Sequence, residues 1–265
     1  MSKCQQIINI MEKIAPRHLA EEWDNPGLLV GSPQREVKKI LIALDVTERT
    51  VDLAINTAAD MIISHHPLIF KPFKKIRTDL PNGKLLQKIL RHDLAVFAAH
   101  TNLDAAAGGV NDVLAARLGL TKVEPLVKAE SGEPGLGRIG FLPESVGIIE
   151  FVRILKNALN LTDARLVSSE TDLVKKVALC GGSGAEFIGK AAFLGADVYI
   201  TGDVRYHDAQ LAKELDIHLI DAGHFGTEFP VVEALADRLR KELSDAASET
   251  EVITDGQAKN FWITC

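Results

Sequence analysis

The 265-residue chain has only three cysteines, Cys4, Cys180 and Cys265. They lie too far apart for a Cys-x-x-Cys knuckle, and an odd number cannot pair completely within one chain, so a disulfide framework or thiolate zinc cage is not expected. This usage fits a reducing compartment. No run approaches the ~20 consecutive apolar residues that a membrane-spanning helix needs, and the opening MSKCQQIINIMEKIAP lacks the continuous apolar stretch of a secretory signal. Positive charge is not in excess either: the formal net charge is −6. Without a broad positive field to release counterions, nucleic acid and anionic membranes are disfavoured as partners. The chain also contains no phosphate-binding P-loop, and Gly181, Gly182 and Gly184 do not form the G-x-G-x-x-G fingerprint. The expectation is a soluble, cytoplasmic protein.

What is present is ordinary in bulk, with 46% hydrophobic and 25% charged residues, enough to bury a full core. Helix-period segments alternate with short apolar runs. Residues 4–14 read as an amphipathic helix ended by Pro16. Strands are predicted over Leu28–Val30, Ile40–Leu44, Met61–Ser64 and Leu94–Ala99, with helices capped at Thr47, near 82–92 and over Val110–Leu118. The second half continues with strands Gly137–Leu142, Ala164–Ser168, Lys176–Cys180, Val198–Thr201 and Ile217–Ile220. Its helices are expected over Ile148–Leu159, 185–194, 206–215 and from about 227 to 243. This alternation predicts an α/β fold of two interlocked three-layer lobes with mostly parallel sheets. The lobes are placed at 1–127 and 137–265, joined by a linker at 128–136 (KAESGEPGL), with the C-terminal segment packing back on the first lobe.

In such sheets, functional groups collect where strands end. His65 and His66 follow one predicted strand, His100 and Asp104 a second, and His224 and Glu228 a third. Imidazole and carboxylate without thiolate suit zinc, manganese, iron or nickel. His224-x-x-x-Glu228 places two donors one helical turn apart. Neighbouring His65 and His66 point in opposite directions from an extended backbone, which suits two adjacent ions better than one. With Asp104 and a bridging Glu228, the five residues suffice for two divalent ions, which at ~3.5–4 Å separation would activate a water for hydrolysis. Each piece alone has an ordinary reading: a helical ion pair, a strand cap, a helix N-cap. Their common position at strand ends favours the metal.

The segments WDNPGLLVG (23–31), SHHPLIF (64–70), HTNLDAAAGGVND (100–112), GGSGAEF (181–187), TGDVRYHDA (201–209) and DAGHFGTE (221–228) resemble the GTP cyclohydrolase 1 type 2 family, also called the Ngg-interacting-factor-three-like family. The resemblance implies two α/β lobes, a ring-shaped hexamer and two divalent metal ions per subunit. It places the metal ligands on His65, His66, Asp104, His224 and Glu228, with Glu228 bridging. The chain corresponds to the short form, without the domain that longer members carry between the halves.

His100 and His207 are candidates for proton transfer, or for orienting a ligand loop. Asp203 either orients a metal-bound histidine or caps a helix. Gly181, Gly182 and Gly184 either offer N–H groups to an anion or permit close packing. Lys71, Lys74, Lys75 and Arg77 form the one basic run, a solvated loop or an attractor for a phosphorylated substrate. Trp23 packs at the lobe junction or lines the cavity. Two functions follow: a metal-dependent hydrolase acting on a nucleotide or phosphorylated small molecule, or a non-catalytic metal-binding, metal-carrier or regulatory interaction protein.

Overall fold

A computed structural model describes residues 2–128 and 135–263. They divide into two compact units, the first made of residues 1–106 and 232–259, the second of 107–231 and 260–265.

The first unit begins with β1 (Ser2–Lys3) and α1 (Cys4–Ile14), followed by β2 (Gly27–Val30), β3 (Glu36–Val37) and β4 (Lys39–Ala43). Next come α2 (Glu48–Asn56), β5 (Met61–Ser64), α3 (Pro81–Arg91), β6 (Ala95–Ala98) and α4 (Thr101–Ala105). Thr47 caps α2 as its sequence predicts, its hydroxyl accepting from Thr50 N at 3.1 Å. The main sheet, whose outermost strand comes from the far end of the chain, has the order β13-β4-β5-β6-β2, where β13 is Glu251–Thr254. Its pairings are parallel except for β2 with β6. The runs KILIA, MIIS and AVFA are apolar on both faces because both faces are covered. Leu41, Ile62 and Val96 pack with Val51 and Ala54 of α2 and Leu86 and Ile89 of α3. Ile40, Ile42 and Ile63 on the opposite face are equally buried, as are Ile7 and Met11 of α1.

The second unit contains α5 (Val110–Arg117), β7 (Thr121–Pro125), β8 (Arg138–Gly147), α6 (Ile148–Leu159), β9 (Arg165–Val167) and β10 (Leu173–Ser183). It continues through α7 (Ile188–Phe193), β11 (Val198–Gly202), α8 (Tyr206–Glu214), β12 (His218–Asp221) and α9 (His224–Glu228). The next helix, α10 (Val231–Asp245), leads back to the first unit. The six-stranded sheet has the order β7-β8-β10-β11-β12-β9. One face packs against α5 and α6 through Leu114, Phe151 and Leu155. The other packs against α7 and α8 through Ile188, Ala191 and Ala212.

Three expectations are corrected. The second sheet is mixed rather than mostly parallel: β10–β11 and β11–β12 are parallel, while the β7–β8, β8–β10 and β12–β9 pairs are antiparallel. Parallel pairing occurs where α7 and α8 supply the crossovers, and among the described residues no such helix separates β7 from β8. The division of the chain also does not fall at 128–136, of which residues 129–134 lie outside the described residues. Residues 107–127 belong to the second unit, because α5 fills its core and β7 extends its sheet. Finally, the helix expected from about 227 to 243 is two helices, since Pro230 between them has no N–H to continue the ladder.

Candidate metal centre

In the first unit, register determines what gathers. Ala43 pairs with Ser64 and Ser64 with Ala98, so the C-terminal ends of β4, β5 and β6 lie side by side. The chain leaving them carries Asp45, His65 with His66, and His100. The candidate ligand atoms of His65, His66 and His100 all lie within 4.8 Å of one another. His100 precedes α4, and Asp104 follows one turn later, its N–H donating to His100 O at 3.1 Å. This brings Asp104 Oδ1 to 3.6 Å from His65 Nε2.

Each imidazole is held by its other nitrogen. His65 Nδ1 lies 2.9 Å from Ala99 O, His66 Nδ1 2.8 Å from Asp45 Oδ1 and His100 Nδ1 2.8 Å from Asp24 Oδ1. A carbonyl or carboxylate oxygen only accepts, so Nδ1 donates and, in the neutral ring, Nε2 keeps its lone pair. Asp24 is wholly buried. Burial pushes its carboxyl up, but bonds from His100 and Thr101 outweigh this and hold its pKa at about 2. It therefore stays an acceptor throughout the neutral range.

The second unit repeats the arrangement. Ser183 pairs with Gly202 and Thr201 with Asp221, aligning the ends of β10, β11 and β12. His224 and Glu228 lie one turn apart on α9, Nε2 to Oε2 3.1 Å, and Glu228 is buried. His224 Nδ1 lies 2.7 Å from Asp203 Oδ2. Asp203 has φ of 55°, a left-handed conformation that Asp tolerates better than most residues and that is common at functional positions. Asp221 fixes both loops: it accepts from Gly223 N at 3.0 Å and Val204 N at 3.2 Å and pairs with Arg165.

The glycines of GGSG serve close packing. The N–H groups of Gly181, Gly182 and Gly184 donate to Asn111 Oδ1, Thr227 Oγ1 and Thr201 Oγ1, each at 2.9 Å, so they are not turned to an anion. Gly182 has φ of +64°, and a methyl group there would overlap Glu228 Oε1 and lie 3.3 Å from His224 Nε2. A side chain at Gly202 would meet His224 N at 2.6 Å. The loop is thus a cradle around the donor pair.

The histidine and acidic groups of these clusters can bind metal ions. Nitrogen and oxygen donors without thiolate suit a hydrolytic rather than a structural ion, and imidazoles anchored through Nδ1 are the usual form of metal-binding histidine. His207 lies elsewhere: it is exposed at the start of α8, 3.3 Å from Gln210 Oε1, with its ring against Tyr206. Sequence reasoning did not single out Asp24 and Asp45 as supports. The spacing His100-x-x-x-Asp104, the same as in His224-x-x-x-Glu228, was the available signal tying His100 to the donors.

The sequence profile of Duf34/NIF3 (NGG1p interacting factor 3) matches residues 2–260. A Clostridium perfringens protein described as a GTP cyclohydrolase 1 type 2 homolog is 37% identical, covering 97% of this chain and 98% of that one. A protein of the same description from Halalkalibacterium halodurans is 30% identical, and its alignment runs over 355 positions, more than this chain's 265 residues can fill. Among solved structures, a Bacillus cereus protein related to NIF3 superposes with a TM-score of 0.95 at 29% identity, covering 100% of this chain and 99% of its own. Reduced HcgD from Methanocaldococcus jannaschii gives 0.81 at 32% identity, covering 96% and 97%. The chain belongs to the Duf34/NIF3 (NGG1p interacting factor 3) family.

Proposed function

We propose that this protein is a metal-dependent hydrolase acting on a nucleotide or phosphorylated small molecule. His65, His66, Asp104, His224 and Glu228 would hold two divalent ions, with Glu228 shared between them. The observation that carries this reading is the state of the imidazoles: His65, His66 and His224 each have Nδ1 on an oxygen acceptor. Three rings fixed in that tautomer offer Nε2 to a cation. His224 Nε2, 3.1 Å from a carboxylate oxygen, needs a positive charge between the two, from a proton or a metal. Bound divalent ions would supply Lewis acidity and bring the pKa of water to ~7. His100, fixed by Asp24, can take or give a proton at Nε2. His207, exposed at the start of α8, is the second candidate for proton transfer. The name shared by the curated relatives supports a nucleotide substrate, and the family resemblance supports a ring-shaped hexamer.

The test is elemental analysis of metal-loaded protein, followed by a nucleotide and phosphoester screen on wild type, His65→Ala and Glu228→Gln. Turnover that tracks metal content and disappears in both variants is expected. Stoichiometric metal without turnover of any substrate would favour a metal carrier, and protein that cannot be loaded at all would sink both readings. Light scattering at native salt should give the mass of six chains.

A further inference from the structure

Beside the first cluster lies apolar surface that the fold does not use. Trp23 is 59% exposed and Phe70 45%. Their centroids are 5.7 Å apart with the planes at 64°, so the two rings form a corner. Both meet the ring of His100 edge-on, at 6.0 Å and 6.2 Å.

The backbone that carries the corner is anchored although the rings are exposed. Next to Trp23, the Asp24 side chain is wholly buried and accepts from Thr101 N at 3.0 Å. Asn25 Nδ2 donates to Ile69 O at 2.6 Å, tying the Trp23 segment to the residue preceding Phe70. Two exposed aromatic rings therefore sit on an anchored backbone next to a cluster of imidazoles.

The chain leaving Phe70 runs straight into the basic loop. Lys71, Lys74 and Lys75 are exposed, and among the described residues none has an acidic partner. Arg77 is taken by Asp79, its Nε donating at 3.0 Å. The loop is anchored where it meets α3, since any side chain at Gly83 would overlap Arg77 O. In a chain of net charge −6, this run offers a local positive field next to a flat apolar corner.

We propose that Trp23 and Phe70 form the platform that takes the planar ring of an anionic ligand, with Lys71, Lys74 and Lys75 taking its phosphate. A heteroaromatic ring in the corner stacks on one aromatic face and meets the edge of the other, a contact tolerant of ring identity. The phosphate answers the unpaired ammonium groups. The ligand class is a nucleoside phosphate rather than a sugar phosphate or phosphoester lacking a ring. This inference rests on the proposed hydrolase reading, deepens it by naming the residues that select the substrate, and can be tested without turnover.

Trp23 and Trp262 are the only tryptophans. In a Trp262→Phe protein, titration with guanosine 5′-monophosphate should quench Trp23 fluorescence saturably, and ribose 5-phosphate should compete at least tenfold more weakly. By calorimetry, Trp23→Ala and Phe70→Ala should each weaken the nucleotide about tenfold, and Trp23→Phe should restore most of the loss. Lys74→Ala combined with Lys75→Ala should weaken it too and flatten its salt dependence. Metal content, measured in every variant, should not change. Equal affinity for ribose 5-phosphate, or unaltered nucleotide affinity in Trp23→Ala, would overturn the proposal. So would Trp23→Ala changing the size of the assembly but not nucleotide binding, since the corner would then be a contact between copies. Protein that holds no divalent ion yet binds the nucleotide through Trp23 would remove the hydrolase reading and support the platform.

Discussion

Asp45 and Asp203 bear on the candidate donors through the rings they hold. Each accepts from a histidine Nδ1, at 2.8 Å and 2.7 Å, and so makes Nε2 of that ring the more basic donor. An amide of the same shape can still hydrogen-bond but carries no charge and can turn its NH2 towards the ring. Asp45→Asn and Asp203→Asn should therefore lower metal affinity about 10–100-fold while leaving the melting temperature nearly unchanged, as read by chelator competition and thermal unfolding. Unchanged affinity in both would mean that the two carboxylates only brace the loops. His218 makes a different prediction. It is fully buried in β12 and accepts from Ser169 N at 3.0 Å, and burial pushes its pKa down, against the opposing pull of Asp172, Asp197 and Asp216. The unfolded chain protonates this ring near the ordinary value of about 6.5, whereas the folded chain does so only at lower pH. Its contribution is thus complete above about 6.5 and is lost as pH falls from there through the lower folded pKa, where the unfolded state binds the extra proton. Urea unfolding of wild type at pH 7 and pH 5 should show this decline. His218→Gln should show a smaller one, and an equal decline would assign the effect to other groups.

Among the elements, strands buried on both sides were readable, as were the edge strands β2 and β9, whereas the edge strands β7 and β13 were not. KILIA, MIIS and AVFA are almost entirely apolar because helices cover both faces, so β4, β5 and β6 announce themselves. β7 is TKVEP, mostly exposed, and β13 is EVIT, each taking its strand conformation from a neighbour rather than from its own pattern. The candidate donors could be found because they follow the readable strands. Asp24 and Asp45 could not, since neither keeps a fixed spacing to the histidine it serves and only the fold brings them together. GGSG was read as either an anion nest or a packing device, and the structure chooses packing against α9. Gly182→Ala combines a left-handed backbone with a methyl placed onto Glu228 Oε1. It should cost roughly 1–3 kcal/mol of stability and displace Glu228, lowering metal content in proportion. If the variant melted like wild type and held the same metal, the glycine cradle would have no part in fixing the donors.

At the scale of the whole molecule, the chain order and the unit order differ, and the two units should behave differently when separated. The first unit borrows 232–259 from the far end of the sequence. That segment supplies β13, paired with β4, and the buried Leu235, Leu239 and Leu243 of α10. It also supplies Asp255, which pairs with Arg49, and Thr250, which donates to Val37 O at 3.0 Å. Burial of a leucine is worth roughly 1.5–3 kcal/mol, so losing three of them alone approaches the ~5–15 kcal/mol that a domain has in total. Residues 1–106 on their own should therefore fail to fold, and joining them to 232–259 through a short Gly/Ser linker should restore a cooperative urea transition. Residues 107–231 keep all six strands of their sheet and should fold alone, as read by circular dichroism and a single unfolding transition. That fragment still contains His224 and Glu228 but none of His65, His66 and Asp104. Two protein donors fall short of the three or four that a tight divalent site needs, so the folded fragment should bind zinc far more weakly than the whole chain. If it bound zinc as tightly, the donors of the first unit would contribute nothing, and the shared centre proposed above would have to be abandoned.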